Sequence, residues 1–200
     1  MADANNFPHL FLVRHGDTEW TEAHRHTGHT DIPLNAAGEE RARDLRDRLV
    51  NRNFARVFTS PLSRARRTCE LAGFEARAEI CADLVEWDYG DYEGLVTAEI
   101  QRRNPGWELF RDGGPHGESP EQVAARADRF VQQARSIDAT IIAFSSGHII
   151  RMIAARWLGL APVAAKYFYT ATASISVLGY EHSRDDPVIL LWNDARDAVK

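Results

Sequence analysis

Arg14-His15-Gly16 places a guanidinium, an imidazole and a residue without a side chain in immediate succession. Arginine presents a fixed fork of donors that matches phosphate oxygens. A histidine beside it can attack phosphorus as a nucleophile, and Gly16 lets the backbone come close to the bound group. Three residues recur by chance, and a strand-end histidine is also a common structural residue, so this chemistry needs further groups. In Thr59-Ser60-Pro61-Leu62-Ser63-Arg64, Ser60 reads as an N-cap and Pro61 as the first helical residue. Arg64 then falls in the first turn, near a helix N-terminus that favours anions. Glu86 lies in Leu84-Val85-Glu86-Trp87, where apolar neighbours would desolvate its carboxyl towards a usable general acid. The alternative is pairing with a nearby arginine in the ionised form. Ser145-Ser146-Gly147-His148 completes the set; His148 is either a helix-start residue bonded to backbone or a phosphate contact.

Each cluster follows an element able to position it. Leu10 to Val13, Ala55 to Phe58, the stretch 77–85 and Thr140 to Phe144 are strand-like, and open α/β sheets bind ligands at the carboxyl ends of their strands. A polar loop over 15–33 carries Thr27-Gly28. Asn35 caps a helix to about Asn51, whose apolar stripe is Ala42, Leu45 and Leu49. A helix is expected over 61–72, and short helices with loops from Glu93 to Gly117. Ser119-Pro120-Glu121-Gln122 reads as a capping box opening a helix to about Ser136. The segment 148–159 is apolar nearly all round, which predicts a buried helix. Ser174 to Tyr180 and Pro187 to Trp192 read as closing strands. The alternation predicts an α/β fold: a three-layer α/β/α sandwich with a mostly parallel sheet and an antiparallel edge, as a single domain over 1–200.

Composition agrees. The chain has 200 residues, 44% of them hydrophobic, and a formal net charge of −5. An acidic balance argues against nucleic-acid and membrane-surface partners, while a local arginine pocket still takes phosphate. No apolar run is long enough to span a bilayer, and Met1 to Pro8 has no basic n-region or signal core. The expectation is a cytoplasmic protein, with a homodimer allowed. Cys69 and Cys81 match no metal or redox spacing and read as buried thiols. His24, His26 and His29 fit neither a helical i, i+4 ligand pair nor a Cys/His zinc pattern. They read as a polar loop with one residue touching substrate, and no metal or cofactor is expected.

The stretches Leu12 to Thr18, Thr27 to Leu34, Thr59 to Thr68, Glu86 to Gly94, Gly117 to Ser119 and Gly147 to Arg151 resemble the histidine phosphatase (phosphoglycerate mutase-like) superfamily. The resemblance covers nearly the whole chain. Glu86 to Gly94 and Trp107 to Gly113 look most like its acid phosphatases and sugar-bisphosphate phosphatases. It implies that His15 becomes phosphohistidine, that Arg14 and Arg64 hold the phosphoryl oxygens, and that Glu86 protonates the leaving oxygen and then deprotonates water. Thr18, Thr21, Thr27, Gly28, Tyr89 and Gly147 would make the substrate pocket. One position departs: the family carries a second catalytic histidine directly before the glycine of its last motif, and here that residue is Ser146. His148 lies on the other side of that glycine. A serine there implies a weakened enzyme, since a preorganised donor to a charged transition state is worth about 10²–10³ in rate.

The expected activity is metal-independent hydrolysis of small phosphorylated metabolites, sugar phosphates or bisphosphates. The alternatives are a phosphoglycerate-type mutase and a low-activity phosphometabolite-binding protein. Resembling mutases carry a lysine where this chain has Thr97, which favours the phosphatase. Arg102, Arg103 and Arg111 are the expected grips for a second phosphate or a carboxylate.

Overall fold

The computed structural model describes residues 7–195; Met1 to Asn6 and the last five residues lie outside it. Six strands form one sheet: β1 (Leu10–Arg14), β2 (Arg56–Thr59), β3 (Ala78–Ile80), β4 (Ile141–Ser145), β5 (Ile175–Tyr180) and β6 (Pro187–Asp194). Their order is β3-β2-β4-β1-β5-β6. The first four are mutually parallel, whereas β5 runs antiparallel to β1 and β6 antiparallel to β5. This is the expected mostly parallel sheet with an antiparallel edge.

The central strands β1 and β4 are apolar up to their last residue because both sheet faces are covered there. Side chains alternate along a strand, so Leu10 and Leu12 enter one core with Phe58, Ile141 and Ala143. Phe11 and Val13 enter the other with Val57, Ile142 and Phe144. The first core is closed by α6 (Pro120–Ser136) and α7 (Gly147–Trp157), the second by α2 (Ala36–Leu49) and α3 (Ser63–Leu71). α4 (Thr97–Arg103) and α5 (Leu109–Asp112) add Ile100, Leu109 and Phe110 to the first core, and α1 (Glu19–Glu22) buries none of its residues. Asn35 caps α2 through its Oδ1 and Gly38 N–H at 2.8 Å, and Ser119 with Gln122 forms the expected capping box of α6.

Two local expectations change. Ser60 does not cap α3: the N-cap is Leu62, without a side-chain bond, and Ser60 Oγ accepts only a long 3.4 Å bond from Leu62 N–H. Arg64 still falls in the first turn. The stretch 77–85 is strand only at Ala78–Ile80, then turns through a 3₁₀ segment at Ala82–Leu84. That turn is held by Ser145 Oγ, which donates to Leu84 O at 2.6 Å, so the tip of β4 fixes the approach to Glu86.

The loop after His15 packs backbone to backbone on the start of α2. A Cβ at Gly16 would lie 2.3 Å from Gly38 O, and one at Gly38 would lie 2.0 Å from Asp17 O. Both positions therefore require glycine.

Candidate active site

Adjacent parallel strands β1 and β4 pair Arg14 with Ser145, so Arg14-His15 and Ser145-Ser146 leave the sheet side by side. His15 N–H donates to Ser145 O at 2.9 Å, and Gly16 N–H donates to Thr68 Oγ1 at 3.1 Å. The His15 ring is buried, and its Nδ1 lies 2.8 Å from Gly16 O. A carbonyl oxygen only accepts, so Nδ1 carries the proton and Nε2 keeps a free lone pair. Burial, followed by the nearby Arg64 and Arg14 charges, holds the His15 pKa well below its usual value. The result is a neutral, oriented imidazole.

Arg64 is fully buried. Its Nη2 donates to Thr27 O at 3.1 Å and Gly28 O at 2.7 Å, and its Nη1 donates to Thr30 O at 3.0 Å. Arg14 Nη1 donates to Thr170 O at 2.6 Å. Burial lowers both arginine pKa values, and Glu86 opposes that first. What remains is telling: Arg14 Nε, Arg64 Nε and Ser146 Oγ are all buried without a hydrogen-bond partner. A buried donor left unpaired costs about 1–3 kcal/mol, and both guanidiniums act on the His15 ring, which suits this centre to an anion. Arg64→Met removes the clamp on three carbonyls and takes from the Thr27 and Gly28 oxygens their guanidinium donor, while Thr30 O keeps Ile32 N–H. Unfolding in urea should show a loss of about 3–5 kcal/mol.

Glu86 is buried, but not in apolar surroundings as its sequence neighbours suggest. Its Oε1 accepts from Trp87 N–H and Ile149 N–H, and its Oε2 from His148 N–H, each at 2.9 Å. Two of these donors belong to the first turn of α7, whose dipole favours negative charge. Arg126, unremarked in the sequence, supports the segment from α6 by bonds to the Asp83, Val85 and Glu86 carbonyls and to Glu118.

His148 Nδ1 shares a 2.5 Å hydrogen bond with Tyr89 Oη and lies 4.0 Å from Glu86 Oε2. Its ring stacks on His26 at 5.9 Å between centroids. Burial, then Arg151, His26 and Arg14, holds its pKa well below the usual value, while burial alone takes His26 to about 4. Burial also pushes the Tyr89 phenol well up.

These histidines couple folding to pH. His15, His26 and His148 stay neutral in the fold at pH values where an unfolded histidine, near 6.5, binds a proton. Stability is therefore unaffected above that pH and falls below it, by about 1.4 kcal/mol per pH unit for each histidine. For His26 the fall continues down to about pH 4. Denaturation midpoints at pH 7.5, 6.5 and 5.5 should drop only across the lower interval, and His26→Gln should make that drop shallower. A flat response would rule the coupling out.

A cavity of 570 Å³ opens over this centre. Of the expected site residues, Arg14, His15, Thr21, Thr27, Glu86, Tyr89, Gly147 and His148 line it. Arg64 and Ser146, fully buried, do not line it. Thr18 and Gly28 do not line it: Thr18 Oγ1 caps α1 by accepting from Thr21 N–H, and Gly28 bridges Glu93 and Arg64 through its N–H and carbonyl. Their parts are structural. The arginines expected to grip a second group are also elsewhere. Arg102 is 77% exposed beside Glu99, and Arg111 pairs with Asp112; neither lines the cavity, nor does Arg103. The wall instead includes Arg25, Arg41, Arg151 and Tyr169 to Thr172. No periodicity marks the last of these, and only the fold back from α7 brings it to His15, through Ala173 N–H donating to His15 O at 3.0 Å. His24 and His26 line the cavity, while His29 lies beside Asp88 at 3.9 Å. Both cysteines are free, and burial pushes Cys69 up to about 12. Among the described residues no helix is long and apolar enough to cross a membrane.

The sequence model of the histidine phosphatase superfamily, branch 1, matches residues 10–195. An acid phosphatase of Mycobacterium tuberculosis is 38% identical over 178 residues, covering 86% of this chain and 87% of the relative. The sedoheptulose 1,7-bisphosphatase of Saccharomyces cerevisiae is 31% identical over 227 residues, covering 92% and 84%. The solved structure of an open reading frame product from Mycobacterium tuberculosis has a TM-score of 0.88 at 34% identity, over 93% of this chain and 97% of that one.

Proposed function

Since the chain belongs to the histidine phosphatase superfamily, we propose that it hydrolyses small phosphorylated metabolites, sugar phosphates or bisphosphates, through a phosphohistidine on His15. The observation that carries this reading is the set of unpaired buried donors, Arg14 Nε, Arg64 Nε and Ser146 Oγ, around an imidazole whose Nε2 lone pair is free. A phosphoryl group attacked by His15 Nε2 would sit in the field of both guanidiniums and accept from donors of this kind. The acid phosphatase and bisphosphatase names of the relatives point to the same substrate class.

In the first step a bond forms between His15 Nε2 and phosphorus while the ester P–O bond breaks. The proton for the departing oxygen comes from Glu86. In the second step water attacks phosphorus, Glu86 takes its proton, the N–P bond breaks, and phosphate leaves. The guanidiniums supply the positive charge along this path, so catalysis rests on positioning and charge stabilisation, and no step calls on a metal.

Ser146 favours a second reading. With a neutral hydroxyl where the family has a histidine, the site could hold a phosphometabolite with little turnover. Phosphate release from a panel of phosphomonoesters and sugar bisphosphates, run with a chelator present, separates the two. Release above background supports the enzyme; tight binding with no release and no phosphorylated His15 supports the binding protein.

A further inference from the structure

We propose that Arg25 and Arg151 form a second anion grip inside the His15 cavity, selecting phosphomonoesters that carry a further phosphate or carboxylate; the first group's placement rests on the phosphatase reading above.

The cavity is far larger than a phosphoryl group needs, and its 570 Å³ falls in the range of sites that enclose whole small molecules. Four arginines line it: Arg14, Arg25, Arg41 and Arg151. Arg14 belongs to the reaction centre. Arg41 is already engaged, pairing with Asp17 Oδ2 at 3.1 Å and donating to Thr172 O at 2.9 Å. Arg25 and Arg151 differ, because among the described residues neither forms an ion pair with a carboxylate. Their bonds go to carbonyl oxygens instead: Arg25 Nη1 to Gly94 O at 2.9 Å, Arg151 Nε to Ala165 O at 3.1 Å and Arg151 Nη2 to Lys166 O at 2.6 Å.

Such bonds orient a guanidinium without cancelling its charge. Each has five N–H groups, so donors remain on both. Pre-oriented side chains lose little further entropy when an anion arrives. Arg151 follows His148 by three residues on α7, and i, i+3 neighbours share a helix face. It also lies over the Phe110 ring at 4.6 Å. Its burial, which lowers its pKa, deprives the cation of water that an anion would replace. Arg25 comes from a separate element, the chain after α1, which bridges to Val96. Of the acidic groups on the wall, Asp17 is held by Arg41 and Thr172, Glu86 by backbone N–H groups, and Glu22 Oε1 by the Asn35 amide at 2.8 Å. Only Asp17 is paired with an arginine; four guanidiniums face three carboxylates, so the wall keeps an excess of positive charge, and Arg25 and Arg151 are its cations away from the reaction centre.

Calorimetric titration of the His15→Ala protein with fructose 1,6-bisphosphate and with fructose 6-phosphate tests the grip without turnover. The bisphosphate should bind at least tenfold more tightly, and adding Arg25→Gln or Arg151→Gln should cut that preference at least threefold. Equal affinity for the two ligands overturns the proposal, as does an equal loss for both, which would mark the arginines as loop supports. Arg25→Gln carries the test if Arg151→Gln, which frees two carbonyls, fails to fold. Phosphate release by the unmodified chain is measured separately: a binding preference without release rejects the phosphatase reading and keeps the grip.

Discussion

His15→Ala is expected to lower phosphomonoester turnover by about 10⁶-fold, the order of loss when the nucleophile of a covalent mechanism is removed. The expectation follows from the ring's fixed geometry. Its Nδ1–H is bound to Gly16 O at 2.8 Å, so only Nε2 can attack, and alanine leaves nothing in its place. Rapid quenching with a labelled phosphate ester should trap acid-labile, alkali-stable label on the unmodified chain and none on the variant. A variant that keeps more than about one per cent of the rate would mean that water attacks the ester directly. The pH profile gives an independent check. Because burial and two arginines hold the His15 pKa well below its usual value, the nucleophile stays neutral in mild acid, and kcat/KM should persist well below pH 6.5.

Ser146→His should raise kcat by about 10²–10³, the worth of one preorganised donor to a charged transition state. Ser146 occupies the N-cap of α7 with extended backbone, φ −116° and ψ 170°, yet its hydroxyl makes no capping bond. Buried and unpartnered, it contributes nothing visible to the fold. Replacing it by alanine should therefore leave the thermal midpoint within a degree or two while lowering kcat further, if the hydroxyl serves the phosphoryl group. Measured on one substrate, the order histidine, serine, alanine in kcat would assign the position to catalysis. Equal rates for serine and alanine, with no gain from histidine, would show that the reaction does not use this position.

Local sequence was enough for the elements that position the chemistry. Continuous apolar runs announced strands buried on both faces, Asn35 and Ser119 announced their helices, and four polar clusters at element ends announced where the chemistry lies. Such signals are legible because periodicity and capping act over a few residues. They misled where chain neighbours were taken for spatial ones. Leu84, Val85 and Trp87 flank Glu86 in sequence, but its carboxyl meets backbone N–H groups from α7. Ser60 has the composition of a cap, but α3 begins two residues later. Thr18 and Gly28 stand near the motif, but one closes a helix and the other bridges Arg64 and Glu93. The far end of the pocket was out of reach altogether. Arg102 and Arg111 looked like substrate grips by composition, and only the folded chain puts them outside the cavity while bringing Arg25, Arg151 and Thr170 to its wall. The physical reason is one of range: hydrophobic period and cap chemistry are written within single elements, whereas a pocket wall is made where elements more than a hundred residues apart cross.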